Sequence, residues 1–194
     1  MLNKVFSLIT FAFIGCVFLA FTHSDNTAVS VKKASMTAEP ASEQIAVKWY
    51  TWEEAAKASE TEKRKIFVDV YTDWCGWCKR MDKNTFRHQS IAKYLNKEFY
   101  AVKLNAEQKT DIKFKNHTFK FISQGRRGYH QLAYELMNGR MSYPTIVVLN
   151  EDYQRILISP GYQTAQDFEP VLRFASENHY KTKTWKNFLA ENKK

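Results

Sequence analysis

The chain has 194 residues, of which 44% are hydrophobic and 25% charged, a balance typical of one globular domain with an appendage. The formal net charge of +9 would attract acidic surfaces, but lysines spread along a chain are more typical of a solvated surface than of a nucleic-acid site. Three cysteines are too few for a small secreted scaffold that depends on disulfides for its stability.

The N-terminal segment, residues 1–24, has the pattern of an export signal. Lys4 precedes an uncharged stretch of 17 residues, 5–21, which is also close to the length of a membrane span. No clean cleavage site follows, so a cleaved signal peptide and an uncleaved anchor are both open. The preceding Phe-Ile-Gly makes Cys16 resemble the lipidated cysteine of bacterial lipoproteins, which is a third alternative. We expect an exported, periplasmic or otherwise extracytoplasmic protein that could be attached to a membrane, without a nucleic-acid partner.

A linker and the start of a folded domain follow this segment. Residues 25–46 are rich in Ser, Thr, Ala and Lys, which is typical of a linker, and we place the domain at 47–180. Thr51 and Glu54 have the spacing of a capping box, which predicts a helix over 52–61. The β-branched and aromatic run 65–71 then predicts a buried strand.

The next elements predict a βαβ unit. A helix should begin at the cysteines and extend past Met81, and Ser90 should cap a further short helix that ends near Leu95. The run 99–104 predicts a second strand. Helices between strands favour a parallel pair, so this part of the sheet should be parallel.

Residues 106–141 form an insertion whose second half predicts a helix. Gly139 is placed as its stop signal. The apolar residues at helical spacing are interpreted as packing residues and are Tyr129, Leu132, Ala133, Leu136 and Met137.

The last part of the domain predicts a hairpin and a helix. Short strands over 145–149 and 155–159 are joined by a polar turn, which favours an antiparallel pair. An amphipathic helix should cover 164–178, and the C-terminal extension 181–194 could contain another short helix. The fold class is therefore α/β, with a mixed central sheet covered by helices on both faces.

Cys75 and Cys78 lie where a buried strand gives way to a helix. At a helix N-terminus, unpaired backbone N–H groups and the positive end of the helix dipole stabilise thiolate over thiol. Cys75 should therefore act as the nucleophile, and Cys78, one turn later, should resolve the mixed disulfide.

Two other roles for these cysteines are weaker. A disulfide that closes a two-residue loop adds little stability through chain entropy. A structural zinc site needs four ligands, but there is no second C-x-x-C, and His88, His117, His130 and His179 have no short paired spacing. We therefore expect no metal, and redox chemistry is the favoured interpretation.

The segment Trp74–Lys79 reads Trp-Cys-Gly-Trp-Cys-Lys. It resembles the W-C-G-x-C-K motif of the thioredoxin-like family, with Trp77 where thioredoxin itself has proline. Tyr143 and Pro144, ahead of a β-branched run, are similar to the family's cis-proline loop, and Gly161 also fits. The resemblance covers roughly residues 48–178 and implies a thioredoxin fold. The chain departs from the family in the helical insertion before the cis-proline strand, because the stretch from Cys78 to Pro144 is much longer than in a minimal thioredoxin.

The resemblance also implies roles for single residues. Asp69, six residues before Cys75, matches the buried acid that takes the proton of the resolving thiol, and Lys103 resembles the lysine beside that acid. Tyr143 and Pro144 would hold a substrate strand. The residues Trp74, Gly76 and Trp77 are further candidates for substrate contact. From the sequence alone, Asp69 could face solvent, but burial between apolar neighbours would raise its pKa and suit it to proton transfer.

These observations predict an exported thiol–disulfide oxidoreductase that reduces protein disulfides and needs no cofactor. Its electrons would come from a thiol donor in the membrane. A disulfide oxidase or isomerase, and a redox-inactive binding module with the same fold, are the alternatives. Arginines at 126, 127 and 140 could give the insertion a positive rim that attracts acidic partners, or could be solvated surface residues.

Overall fold

A computed structural model describes residues 45–192. The predicted signal or anchor, Cys16 and residues 25–44 of the predicted linker lie outside this range. Nine strands follow in chain order: β1 (Trp49–Tyr50), β2 (Lys65–Tyr71), β3 (Phe99–Asn105), β4 (Ile112–Phe114), β5 (His117–Phe119), β6 (Phe121–Gln124), β7 (Arg127–His130), β8 (Thr145–Leu149) and β9 (Arg155–Pro160). Six α-helices occur in the same range: α1 (Trp52–Thr61), α2 (Gly76–Met81), α3 (Gln89–Glu98), α4 (Gln131–Leu136), α5 (Ala165–Ser176) and α6 (Trp185–Asn192).

Five of the strands form one mixed sheet in the order β1-β3-β2-β8-β9. The strands β1 and β2 are both parallel to β3, while β8 is antiparallel to β2 and β9 is antiparallel to β8. The central strand β2 therefore forms hydrogen bonds on both sides. This arrangement confirms the predicted parallel unit followed by an antiparallel hairpin.

Alternate residues of β2 divide the core into two layers, as the period of two in a strand requires. Ile66, Val68 and Val70 belong to the layer that also contains residues of α1 and α4. Phe67 belongs to the opposite layer, which contains residues of α2, α3 and α5. Helices thus cover both faces of the sheet, as predicted.

The observed helix starts follow the chemistry of their caps. The Thr51 hydroxyl accepts from the Glu54 N–H and the Glu54 carboxylate accepts from the Thr51 N–H, so the predicted capping box is present.

The prediction for α3 was wrong at both ends. His88 is its N-cap residue, Ser90 lies inside the first turn with its hydroxyl bonded to the His88 ring, and the helix continues to Glu98.

The insertion contains more β-structure than the sequence indicates. Two hairpins, β4–β5 and β6–β7, precede α4, and Tyr129 lies in β7 instead of in the helix. A Cβ atom at Gly128 would collide with the Phe121 ring and the Ile122 carbonyl oxygen, so the second hairpin requires glycine there. The predicted helix is limited to α4, and Gly139 follows it with a φ of 77°.

The C-terminal extension packs onto the domain. A 3₁₀ turn over His179–Lys181 leads into α6, whose buried Phe188 contacts the ring of Phe174 at a centroid distance of 5.3 Å. Within residues 45–192, none of the helices has the length and apolar character needed to cross a membrane.

Replacing Leu95 with alanine should lower the free energy of unfolding by about 2–5 kcal/mol, because this side chain is fully buried between α3 and the sheet. The same substitution at the half-buried Leu189 of α6 is the matched control and should cost about 1 kcal/mol or less. Urea denaturation of both variants measures the difference. Equal losses at the two positions would contradict this assignment of the core.

Candidate active site

The two cysteines lie at the start of α2, directly after the central strand. The Cys75 N–H donates to the Thr72 carbonyl oxygen at 3.1 Å, which turns the chain at the end of β2. Cys75 is the N-cap residue of α2, and its Sγ accepts from the Cys78 N–H at 3.1 Å. The two residues are joined by a disulfide bond, and both are buried, with 5% and 3% of their surface exposed. The sulfur of Cys75 therefore lies at the helix N-terminus, where backbone N–H groups favour a thiolate.

A charge network between the sheet and this helix runs from the buried Asp69 to the partly exposed Asp82. The ammonium group of Lys103 donates to the carboxylate of Asp69 at 2.6 Å and also to the carboxylate of Asp82. Asp69 and Lys103 are register partners on the parallel strands β2 and β3. Asp82 continues the cysteine helix through a π-helical turn over Asp82–Phe86, and its N–H donates to the Cys78 carbonyl oxygen.

These contacts place Asp69 on the same side of the sheet as the cysteine helix. Asp69 alternates with Val68 and Val70 and so shares the layer of Phe67, which also holds Met81 of α2. Asp82 lies four residues after Cys78, and residues at this spacing share one face of a helix. Lys103 thus joins the acid in the sheet to the helix face that carries Cys78.

Burial raises the pKa of Asp69 from 3.8 to about 6, against the opposing effect of the Lys103 ammonium group. One carboxylate oxygen of Asp69, Oδ1, is buried without a hydrogen-bond partner in the described part of the chain. Burial lowers the pKa of Lys103, but the carboxylates of Asp69 and Asp82 outweigh it and the net shift is upward. Lys103 therefore remains charged while Asp69 changes its protonation state near neutral pH.

The proline loop closes the other side of the site. The Tyr143–Pro144 peptide bond is cis, and the Pro144 carbonyl oxygen accepts from the Gly161 N–H at 2.8 Å. Thr145, the next residue, is the register partner of Val70 near the end of β2. The loop is therefore attached to the strand that leads into the cysteines. Burial raises the pKa of Tyr143 to about 12, so its hydroxyl stays protonated.

Two tryptophans flank the disulfide and are largely exposed, at 59% for Trp74 and 55% for Trp77. The Trp74 ring meets the Tyr143 ring edge-on at 5.8 Å between centroids. The Trp77 ring lies 5.4 Å from that of Tyr162. Exposed aromatic surface next to a reactive sulfur can contact an extended polypeptide. Gly76 lies between the two tryptophans in the sequence. A Cβ atom built on it would meet no atom within 4 Å, so the space around this position is open.

Sequence reasoning missed two of the groups that shape this site. Asp82 could have been found from its position one helical turn after Cys78. Glu107, which accepts from the Trp74 indole N–H at 2.9 Å, has no comparable signal because it belongs to the insertion.

Of the three arginines considered for a positive rim, Arg126 and Arg127 line a groove beside Trp74, but Arg140 does not. Among residues 45–192, no group of three His, Cys, Asp or Glu side chains could hold a metal ion.

Comparison with known proteins agrees with this geometry. Residues 33–188 match the model of the family Thioredox_DsbH, described as "Protein of unknown function, DUF255". The chain belongs to this family. The match covers most of the described domain, including the cysteines, the charge network and the proline loop.

Two proteins from other organisms are similar in sequence to part of this chain. "Uncharacterized protein B0495.5" of Caenorhabditis elegans is 32% identical over 84 residues, which are 43% of this chain and 12% of that protein. "Spermatogenesis-associated protein 20" of Homo sapiens is 33% identical over 67 residues, which are 34% of this chain and 8% of that protein. The similarity thus spans about a tenth of the length of these relatives.

The fold is the thioredoxin fold. A solved thioredoxin-fold protein from Helicobacter pylori superposes with a TM-score of 0.52 at 17% identity, covering 77% of this chain and 88% of that one. The Thioredox_DsbH chain therefore has the fold of thiol–disulfide oxidoreductases and a cysteine pair compatible with that chemistry.

The buried carboxylate of Asp69 gives a pH-dependent prediction. Below about pH 4 the group is protonated in the folded and unfolded protein, but between 3.8 and about 6 only the folded protein retains the proton. The contribution of Asp69 to the free energy of unfolding should therefore fall as pH rises through this window. Asp69→Asn removes the titration and should raise the stability at pH 7 by up to about 3 kcal/mol, with no gain at pH 4.

Urea denaturation of the oxidised protein from pH 4 to pH 8 tests this expectation. Asp152→Asn, the same substitution in an exposed turn, is the control and should show the same change of stability with pH as the wild type. A difference between Asp69→Asn and the wild type that stays constant with pH would show that Asp69 does not titrate in this range.

Proposed function

We propose that the protein reduces disulfide bonds of polypeptide substrates by dithiol exchange through Cys75 and Cys78. The observation that carries this proposal is the position of the Cys75 sulfur at the start of α2, where it accepts the Cys78 N–H. A sulfur stabilised in this way is present as a thiolate, which is the form that attacks a disulfide. Thiol exchange requires only sulfur atoms and protons, so the reaction uses no cofactor.

In the first step the Cys75 thiolate attacks one sulfur of the substrate disulfide. A bond forms between Cys75 and that sulfur, the substrate S–S bond breaks, and the second substrate sulfur leaves as a thiolate that takes a proton from solvent. The exposed rings of Trp74 and Trp77 and the loop at Tyr143 and Pro144 hold the substrate backbone beside the sulfur.

In the second step Cys78 resolves the mixed disulfide. Its thiol loses a proton to the carboxylate of Asp69, and the resulting thiolate attacks the Cys75 sulfur. The Cys75–Cys78 disulfide forms, the bond between Cys75 and the substrate breaks, and the substrate sulfur leaves as a thiolate that takes a proton from solvent. The substrate then has two thiol groups, so two electrons have moved from the protein to the substrate. A pKa of about 6 suits Asp69 to accept this proton at neutral pH. Lys103 and the partly exposed Asp82 connect the acid to solvent.

The oxidised pair must be reduced again by another thiol. We propose a membrane thiol donor for this step and an extracytoplasmic, periplasmic-type location for the protein. The support is the sequence of residues 1–24, whose positive start and uncharged stretch are typical of export signals. The same segment would attach the protein to the membrane if it is retained or lipidated at Cys16.

Cysteine variants separate the two steps. Cys75→Ser should abolish reduction of a model protein disulfide, because the attacking sulfur is lost. Cys78→Ser should retain attack but accumulate a mixed disulfide with the substrate, which non-reducing electrophoresis and mass spectrometry would detect. Retained turnover in Cys75→Ser would contradict the proposal, and a mixed disulfide on Cys78 would reverse the assigned roles.

The reduction potential of the pair determines the direction of electron flow. We expect a value near that of thioredoxin, about −270 mV, when the protein is equilibrated with dithiothreitol or glutathione buffers. A value near about −120 mV, typical of a strong disulfide oxidant, would instead indicate that the protein forms disulfides in its substrates.

A further inference from the structure

A charged groove begins one residue from the attacking sulfur. The groove comprises two adjoining cavities that share the lining residues Trp74, Glu107, Arg127 and Gly128, of which the last two belong to the β6–β7 hairpin of the insertion. Its near end reaches Tyr143 in the proline loop. A polypeptide bound between the cysteines and this loop would therefore extend directly into the groove.

The groove has three basic side chains, Lys109, Arg126 and Arg127, and two acidic ones, Asp73 and Glu107. Both carboxylates already accept hydrogen bonds, Asp73 from the Asn105 amide at 3.0 Å and Glu107 from the Trp74 indole at 2.9 Å. None of the three basic groups belongs to an ion pair in the described part of the chain. Three cations against two carboxylates give the lining a formal net charge of +1, and all three cations can pair with a ligand.

Two of these basic groups lie over aromatic rings: the Lys109 ammonium group lies 3.0 Å from the centre of the Phe121 ring, and Arg127 lies beside Trp74. The Arg127 guanidinium carbon lies 5.8 Å from the centre of the Trp74 ring, within the range of a cation–π contact. A guanidinium near an aromatic ring can still donate its N–H groups to a carboxylate, in the two-pronged geometry that lysine cannot provide. The hairpin register pairs Arg127 with Gln124, and the turn between them has Gly125 at a φ of 59°. The arginine is thus carried by a short, defined turn.

We propose that this groove binds carboxylates of the substrate polypeptide, so that the protein prefers disulfides with Asp or Glu close in sequence to the reacting cysteine. This inference rests on the proposed function as a disulfide reductase. An extended chain advances about 3.3 Å per residue, so side chains about two to four residues from the cysteine would reach Arg127 and Arg126. The occupant is a peptide segment because the groove is continuous with the tryptophan and proline loop that would hold the substrate backbone.

The test uses the full-length reduced protein and two synthetic peptides. Each contains one cysteine in a mixed disulfide with thionitrobenzoate, whose release as a coloured thiol follows the reaction. One peptide has Asp and Glu at the second to fourth positions on both sides of the cysteine, and the other has Asn and Gln there. In each reaction the protein dithiol becomes a disulfide, while the peptide and thionitrobenzoate are released as thiols.

We expect the wild type to react about five- to tenfold faster with the acidic peptide at low ionic strength, with the preference lost at about 1 M salt. The triple variant Lys109→Gln/Arg126→Gln/Arg127→Gln should react equally with both peptides, because the positive charge of the groove is lost. The matched control Lys57→Gln/Lys63→Gln/Lys93→Gln removes the same charge from exposed positions outside the groove and should keep the preference. Arg127→Lys should retain only part of the preference for the acidic peptide, because the charge remains but the paired N–H donors are lost.

Equal rates of the wild type with both peptides would overturn the inference and leave the reductase function intact. A preference that the control variant loses as fully as the groove variant would also overturn it, since the effect would then come from net charge. Failure of the wild type to react with either peptide would instead reject the proposed function.

Discussion

The contact between Asp69 and Lys103 is the constraint on which the rest of the site depends. A carboxylate in the interior of a sheet is strongly unfavourable unless a cation and hydrogen bonds compensate for its lost hydration. The parallel register of β2 and β3 pairs the two residues directly, and the Lys103 ammonium group lies 2.6 Å from the Asp69 carboxylate. A shift of the register by one residue would move one of the two side chains to the opposite face of the sheet and break this contact. Because Lys103 also contacts Asp82, the same ion fixes the cysteine helix against the sheet. Strand pairing, helix position and the environment of Cys78 are thereby joined in one network.

This network satisfies only part of the hydrogen-bonding capacity of the Asp69 carboxylate. Its Oδ1 atom is buried without a hydrogen bond from the described residues, and its pKa remains raised despite the nearby ammonium group. A second cation in place of Asp82 would stabilise the carboxylate further, but Asp82 opposes its ionisation and competes for Lys103. The arrangement costs folding stability above about pH 6 and, in return, holds a proton acceptor whose pKa is close to neutrality. Such a compromise is characteristic of a reactive site and not of a purely structural ion pair.

The sequence was sufficient for those features that have a strong local signal. The run 65–71 could only be a buried strand, and the Thr51–Glu54 box and Gly139 marked helix ends through their own hydrogen bonds and backbone conformation. The hairpins of the insertion were missed because β4 to β7 have three or four residues each, too few to show an alternating pattern. Their pairing depends on packing, as Gly128 against Phe121 illustrates. Likewise Asp82 and Glu107 acquire their roles from contacts with Lys103 and Trp74, which are distant in sequence.

The two sides of the disulfide are built from different parts of the chain. On one side Trp77 contacts Tyr162 and the guanidinium of Arg80, which belong to the sheet-and-helix framework. On the other side Trp74 contacts Glu107 and Arg127, which belong to the insertion. The acid, its lysine and the cysteine helix lie in the framework and do not include residues of the hairpins. The charge of the groove can therefore change with the insertion while the acid, its lysine and the cysteine pair stay the same. Under the proposed function, this separates the choice of substrate from the reaction itself.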